Sequence, residues 1–153
     1  MPENRTSVNH SLFENYILEP GDIVFARTGA SVGKSYLYKE TDGLLVYAGF
    51  LIKVKTNSEI LDPIYLQNFT TTGTYWSWVK VMSMRSGQPG INGNEFKQLK
   101  ISVPPTIDEQ TRIAQTLSDM DDEIAGLEQK LTKYKRLKQG MMQELLTGKT
   151  RLI

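Results

Sequence analysis

The chain has 153 residues, with 18 Lys and Arg against 17 Asp and Glu, a net charge of +1, one His and no Cys. The lack of Cys excludes a disulfide framework, a thiolate zinc site and a cysteine nucleophile, and a single His excludes a multi-histidine metal site. No window approaches 18 consecutive apolar residues, and the opening MPENRTSVNH lacks the apolar core of a signal peptide. We therefore expect a cytoplasmic protein with no membrane span. Because the net charge is near zero, any case for nucleic-acid binding has to be local.

The sequence before Pro104-Pro105 has the pattern of short strands and turns. The apolar run IVFA predicts a strand at residues 23–26, bounded on both sides by turn residues. The runs SYLYKE and LLVYAGFLIKVK, separated by Thr-Asp-Gly, predict a β-hairpin whose strands are residues 35–40 and 44–55.

Two helices and a last strand are predicted between that hairpin and the prolines. Asp62 followed by Pro63 offers an N-cap and a first-turn proline for a helix that runs to about residue 69. Residues 74–83 predict a second helix whose apolar face carries Tyr75, Trp78, Val79 and Met82. We expect a loop at residues 86–94, and the run LKISVP predicts a strand at residues 99–104.

After the prolines the pattern changes to one long helix. Thr106 and Glu109 form a capping box at its start, Gly148 offers a stop, and a second capping box at Ser118 makes a break there conceivable. We place the domain boundary here, with residues 1–104 globular and residues 105–153 helical. Apolar residues then follow the 4-3 spacing of a coiled coil with one basic exception: Ile113, Leu117, Met120, Ile124, Leu127, Leu131, Tyr134, Lys138, Met141 and Leu145.

The charges on this predicted helix are segregated along its length. Residues 119–128 hold five acids and no base, and residues 129–140 hold five bases and no acid. Two copies packed antiparallel place acid against base, whereas a parallel pair places like charges together. We therefore predict an antiparallel coiled-coil partner, either a second copy or a similar helix. The alternatives are a helix that folds back on its own domain and a basic run that is only a solvated face.

The segment from Gly29 to Ser35, GASVGKS, is similar to a phosphate-binding loop. It has three residues between its glycines where that motif requires four, and the run after it is strand-like rather than helical. A nucleotide-binding enzyme therefore remains a minor alternative. We interpret the segment as a turn in which Gly29 and Gly33 adopt backbone conformations that other residues resist.

Two polar, glycine-containing loops carry side chains that suit DNA. Arg, Gln and Asn make bidentate contacts with base edges, and Ser and Lys contact phosphates. Glycine lets a backbone approach its ligand closely. Composition alone leaves open whether these loops are only surface. The candidate DNA-binding residues are Arg27, Ser31 and Lys34 in the first loop and Arg85, Gln88 and Asn92 in the second.

Four segments in this order resemble the specificity subunit of type I restriction-modification systems. They are GDIVFARTGASVGK, SGQPGIN, LKISVPPTIDEQTRIAQTLSDMDDEI and LKQGMMQELLTGKTRL, and the resemblance extends over most of the chain, roughly from Pro20 to the end. The resemblance is to the distal part of one target-recognition domain followed by its spacer helix. It implies an α+β fold, in which a small mixed α/β recognition domain precedes a long C-terminal helix that packs antiparallel on a partner helix.

The resemblance also implies a function. A specificity subunit is not catalytic and holds no cofactor; it reads double-stranded DNA and recruits the methyltransferase and restriction subunits. This sequence has one recognition region and one helix where the family usually has two of each, and its recognition region is short at the N-terminus. We therefore expect a homodimer that joins two chains through a helical interface formed by Ile124, Leu127, Leu131, Tyr134, Met141 and Leu145. The alternative is a truncated interaction module that dimerises or binds a methyltransferase subunit without reading DNA.

Overall fold

A computed structural model describes residues 13–152 of the chain. The opening segment, on which the expectation of no signal peptide rests, lies outside these residues. The chain divides into two compact units, one that ends at Ala114 and a second that begins at Gln115. The predicted boundary after residue 104 therefore falls inside the first unit as contacts define it. The α+β fold class with a long terminal helix is confirmed.

The sheet has three antiparallel strands in the order β2-β1-β3, where β1 is Asp22–Ala26, β2 is Ser35–Leu37 and β3 is Leu51–Lys55. Strand β1 is confirmed, but the predicted hairpin is wrong, because β2 and β3 both pair with β1 and not with each other. The physical reason is burial: Ile23, Val24 and Phe25 are all buried, as expected for a central strand with both faces covered. Between β2 and β3 the chain forms a short 3-10 helix, Glu40–Asp42, instead of a tight turn.

Both predicted helices of the first unit are confirmed. Helix α1 is Pro63–Phe69, and the Asp62 carboxylate caps it by accepting hydrogen bonds from the backbone N–H groups of Ile64 (2.8 Å) and Tyr65 (3.0 Å). Helix α2 is Gly73–Met82. Its predicted apolar face lies in the core, with Tyr75 and Val79 buried among residues from β1, α1 and the segment after α2.

The predicted strand at residues 99–104 is wrong, because this segment forms no ladder with the sheet. It is held by side chains instead: Leu99 and Ile101 pack on the core, and the Tyr65 hydroxyl donates to the carbonyl of Ser102 at 2.9 Å. The predicted loop is shorter than expected, because a one-turn helix, α3 (Gly93–Phe96), begins inside it. Phe96 of α3 is buried in the core.

Helix α4 is Ile107–Leu146, a continuous helix of 40 residues. The Thr106 hydroxyl oxygen accepts a hydrogen bond from the Glu109 N–H at 3.3 Å, which is one of the two bonds of the predicted capping box, and no break occurs at Ser118. The helix stops where predicted, because Gly148 adopts a φ of 71° and its N–H donates to the carbonyl of Leu145. Within residues 13–152, no helix is both long and apolar enough to cross a membrane.

Candidate nucleic-acid interface

The two polar loops, far apart in sequence, are hydrogen-bonded to each other. Thr28 and Gly90 form an antiparallel bridge. On either side of it, the Gly29 N–H donates to the carbonyl of Pro89 at 3.0 Å, and the Ile91 N–H donates to the carbonyl of Arg27 at 2.8 Å. The first loop comes after β1 and the second after α2, so the core elements carry both loops to one place. Together they form a single surface, which we call the joined loops.

A depression of about 210 Å³ lies at the junction. Four of the six candidate residues line it, and two do not. Ser31 and Lys34 are exposed on the neighbouring turn, where the Lys34 N–H donates to the carbonyl of Ser31 at 2.9 Å. The predicted site is therefore brought together in large part, with these two residues beside the depression. The candidates that line it are Arg27, Arg85, Gln88 and Asn92.

Two of the lining residues hold the second loop in shape. Asn92 caps α3: its side-chain oxygen accepts from the N–H groups of Asn94 (2.9 Å) and Glu95 (3.0 Å). The Arg85 guanidinium donates to the carbonyls of Met82 (3.0 Å) and Met84 (2.9 Å) and forms an ion pair with Glu95. Asn92 and Glu95 form a capping box, a signal that was readable in the sequence as N-x-x-E but that the prediction of a plain loop missed.

The other polar side chains of the joined loops are not engaged in this way. The side chains of Arg27, Gln88 and Lys34 form no hydrogen bond or ion pair with any residue in the described range 13–152. Arg27 is half-buried and Gln88 is exposed. The amide nitrogen of Gln88 lies over Gly29, 3.0 Å from where a β-carbon on that glycine would stand. These groups are the donors and acceptors that the surface can offer to a ligand.

The glycine segment that is similar to a phosphate-binding loop forms a tight connection between β1 and β2. Gly29 and Gly33 both have positive φ values, 74° and 84°. A short 3-10 helix, Gly29–Ser31, lies between them, and the next element is β2 rather than the helix whose N-terminus would hold a phosphate. The structural interpretation of this segment, made from the sequence, is confirmed.

Helix α4 exposes its predicted seam. Ile124, Leu127, Leu131, Tyr134 and Met141 are between 52% and 58% exposed, and Leu145 is half-buried. Toward the C-terminal end the apolar surface widens into a groove of about 380 Å³. Monomeric proteins seldom expose contiguous apolar surface on this scale without using it for association. The lining of this groove comprises Tyr134, Leu137, Lys138, Met141, Met142, Leu145 and Leu146.

The segregated charges of α4 are exposed as well. Along residues 119–138, within the described part of the chain, no acidic side chain of the first block forms an ion pair with a basic side chain of the second. Their spacing explains this, because most pairs between the blocks are too far apart along the helix to form an i,i+4 contact. The charge pattern is therefore presented outward on the same helix as the apolar seam.

Fold and surface together define a class of protein: a small α+β module with two joined polar loops, continued by a long helix with an exposed apolar face. The family model for the type I restriction modification DNA specificity domain matches residues 6–137. The chain belongs to this family, and the resemblance seen in the sequence motifs is confirmed.

Two curated relatives come from Methanocaldococcus jannaschii. The type I restriction enzyme MjaVIII specificity subunit is 30% identical over 131 residues, which cover 86% of this chain and 29% of the relative. A second protein, provisionally named as the type I restriction enzyme MjaX specificity subunit, is 30% identical over 135 residues, covering 86% of this chain and 32% of the relative. The chain thus spans about a third of the length of these relatives.

Proposed function

We propose that this protein is a non-catalytic DNA-recognition subunit of a type I restriction-modification complex. In this proposal the joined loops read double-stranded DNA, and α4 carries the assembly that positions methyltransferase and restriction subunits on it. The observation that carries the proposal is the junction of the two loops, which gathers unpaired Arg27 and Gln88 side chains in one depression. Membership of the specificity-domain family supports the same function.

The hydrogen bonds that each side chain forms, or does not form, within the protein suggest its role on DNA. Arg27 and Gln88 have unpaired planar groups, which suit bidentate contacts with the edge of a guanine and an adenine respectively. Lys34 and Ser31 are exposed beside the depression and suit phosphate contacts, which set register without reading sequence. The side chains of Arg85 and Asn92 form hydrogen bonds that shape the second loop. In this proposal they contact DNA only through N–H groups that are not used in those hydrogen bonds.

The test begins with selection of bound duplexes from a randomised double-stranded library, followed by titration of the selected sequence at several salt concentrations. Arg27→Ala is expected to cost about 1–3 kcal/mol and to relax the preference at one base pair, whereas Lys34→Ala weakens all sequences alike and lowers the salt slope by about 1. Arg112→Ala, an arginine in the first unit but outside the joined loops, is the matched control. DNA binding that is absent in the wild type, or unchanged in both variants, would refute the proposal.

The same proposal includes a homodimer formed by antiparallel packing of α4. A two-fold axis opposite Gln129 places Leu127 of one copy against Leu131 of the other, and Ile124 against Tyr134. Sliding one helix along the other by one heptad keeps the two seams facing each other, but it leaves two seam residues at one end of each helix without an opposite partner. The axis also brings residues 119–128, the acidic block, against the basic residues that come after it. The remaining pairs in this register are Met120 with Lys138, Leu117 with Met141 and Ile113 with Leu145.

Single cysteines test this arrangement in a chain that has none of its own. Two copies of Ile124→Cys in an antiparallel pair are offset by roughly 15 Å along the helix, beyond the reach of about 7 Å that a disulfide allows. Ile124→Cys mixed with Tyr134→Cys is therefore expected to cross-link, while either variant alone is not. The reverse pattern would indicate a parallel pair, and sedimentation as a monomer would exclude the dimer altogether.

A second candidate function is an interaction module that dimerises or binds a methyltransferase subunit without reading DNA. The observation that favours it is the exposed apolar seam of α4 and its groove of about 380 Å³, which suit association whether or not the joined loops contact DNA. This alternative predicts a stable oligomer through α4 with no sequence preference for duplex DNA. The library selection and the cysteine cross-links together distinguish the two functions.

A further inference from the structure

The most deeply engaged polar side chain of α4 is Gln110, in the first turn of the helix. It is 2% exposed. Its carbonyl oxygen accepts from the N–H of Asp62 at 3.0 Å, and its amide nitrogen donates to the carbonyls of Ile60 and Pro104, each at 3.1 Å. One side chain thus joins the start of α4 to the segment before α1 and to the segment that leads into α4 itself.

A second link lies at the next residue. The Thr111 hydroxyl donates to one carboxylate oxygen of Asp62 at 2.9 Å, while the other oxygen of that carboxylate caps α1. The same aspartate therefore serves both helices. We call Gln110, Thr111 and Asp62 the helix clasp; all three belong to the first compact unit.

The hydrogen bonds of the helix clasp do more than allow its side chains to be buried. A Leu or Met of similar size would cover the same surface, but it would leave the Asp62 N–H and the carbonyls of Ile60 and Pro104 without this partner. The three directed hydrogen bonds favour one position of α4 over others, because a shifted helix could not form them. Ala114, one turn further on and 2% exposed, leaves little room for a shift.

We propose that Gln110 is a positioning residue, assisted by Thr111, that fixes how α4 is attached to the recognition unit and thereby sets the spacing between two DNA half-sites. This inference rests on the proposed function, in which α4 joins two recognition units. A dimer with an intact clasp accepts one half-site spacing and rejects its neighbours. A dimer with a loosened clasp retains its half-site sequence preference and loses the discrimination of spacing.

If Gln110 only stabilised the fold, its substitution would not change how strongly the dimer prefers one spacing between the half-sites. That preference is therefore the quantity to measure. The selected half-sites are placed in duplexes whose spacers differ by single base pairs, and binding is measured for each. Gln110→Met, which keeps length and volume but removes all three hydrogen bonds, is expected to reduce the preference for the best spacer by about tenfold. Thr111→Val is expected to give a smaller reduction that Thr111→Ser restores. Gln115→Met, the same change at an exposed glutamine of α4, is the matched control.

A measurement without DNA keeps the inference separate from the proposed function. Spin labels on cysteines introduced at Ser58 and Gln129, diluted with unlabelled chain, report the distribution of distances between the first unit and α4. We expect Gln110→Met to broaden this distribution, and circular dichroism to show that the variant remains folded. Equal widths together with unchanged spacing preference would overturn the inference. If the wild type binds no duplex, the proposed function fails and the distance distributions alone decide the role of the clasp.

Discussion

Gly33 lies at the base of the first polar loop in a position that no other residue fits. Its φ is +84°, and its N–H donates to the carbonyl of Ala26 at 2.8 Å. Its own carbonyl accepts from the buried Tyr75 hydroxyl at 2.5 Å. A β-carbon on this residue would stand 2.6 Å and 2.8 Å from the two methyl groups of Val79, a core residue of α2. We predict that Gly33→Ala strongly destabilises the protein.

The magnitude is the sum of two separate costs. The left-handed backbone conformation costs an alanine about 1–2 kcal/mol, and forcing a methyl group into a packed core costs about 1–3 kcal/mol. We therefore expect the free energy of unfolding to fall by about 3 kcal/mol. Gly29→Ala shares the first cost but not the second, because its new methyl group meets only the flexible end of Gln88, so about 1 kcal/mol is expected.

Denaturant unfolding at a fixed protein concentration measures both changes, as a shift in midpoint with an unchanged slope. A double-mutant cycle with Val79→Ala then separates the two costs, because trimming Val79 makes room for the methyl group and leaves only the backbone cost of Gly33→Ala. If Gly33→Ala costs the same in both backgrounds, or no more than Gly29→Ala, the steric reasoning is wrong.

Four further outcomes are expected. Asp62→Ala loses both the cap of α1 and the hydrogen bond from Thr111, and should lower the free energy of unfolding by about 1–2 kcal/mol in thermal denaturation, while Asp62→Asn retains most of the cap. Burial raises the pKa of Tyr75 above its ordinary value of 10, so the free energy of unfolding should fall as pH rises past 10 in the wild type, and this part of the fall should be absent in Tyr75→Phe. Burial, and next the hydrogen bond to Asp42, raise the pKa of Tyr36 to about 12; the part of the ultraviolet titration that Tyr36→Phe removes should have this pKa, and Asp42→Asn should lower it. Leu131→Asp should abolish the dimer in sedimentation without lowering the melting temperature of the first unit, because it places charges on the seam only.

The elements that the sequence predicts well are those with local signals. Helix α1 has an N-cap aspartate and a first-turn proline, and α4 has a capped start, a glycine stop and a sustained apolar repeat. Each of these signals lies within a few residues of the boundary that it sets. For the same reason the short α3 is predictable in principle, since Asn92 and Glu95 have the same capping-box spacing in the sequence as Thr106 and Glu109.

The errors concern partners that are distant in sequence. Strands β2 and β3 are neighbours along the chain, so the sequence predicts a hairpin, yet the buried strand β1 lies at the centre of the sheet and separates them. The run at residues 99–104 has the composition of a strand, but its backbone pairs with no strand, and packing of Leu99 and Ile101 on the core holds it instead. In both cases the composition indicates that the segment is buried, but it does not indicate which strand lies beside that segment.

The candidate site shows the same division between local and distant signals. Both loops were identified from composition, and their junction through Thr28 and Gly90 was not predictable, because it depends on how β1 and α2 pack. Nor does residue type distinguish Arg27 from Arg85. Only the structure shows that the second arginine is bound to Glu95 and to two backbone carbonyls, while the first is unpaired within the described residues.

The hydrogen-bonded and the unpaired side chains of the joined loops should respond differently to substitution. A substitution at Arg85 or Asn92 breaks hydrogen bonds that shape the second loop, and therefore costs stability before it alters any contact with DNA. A substitution at Arg27 or Gln88 breaks no hydrogen bond of the described residues, and the loop keeps its form. The structure thus separates the side chains that maintain the surface, Arg85 and Asn92, from those that are unpaired within the described residues, Arg27 and Gln88. If the joined loops read DNA, a new target sequence can be acquired at two positions without rebuilding the fold.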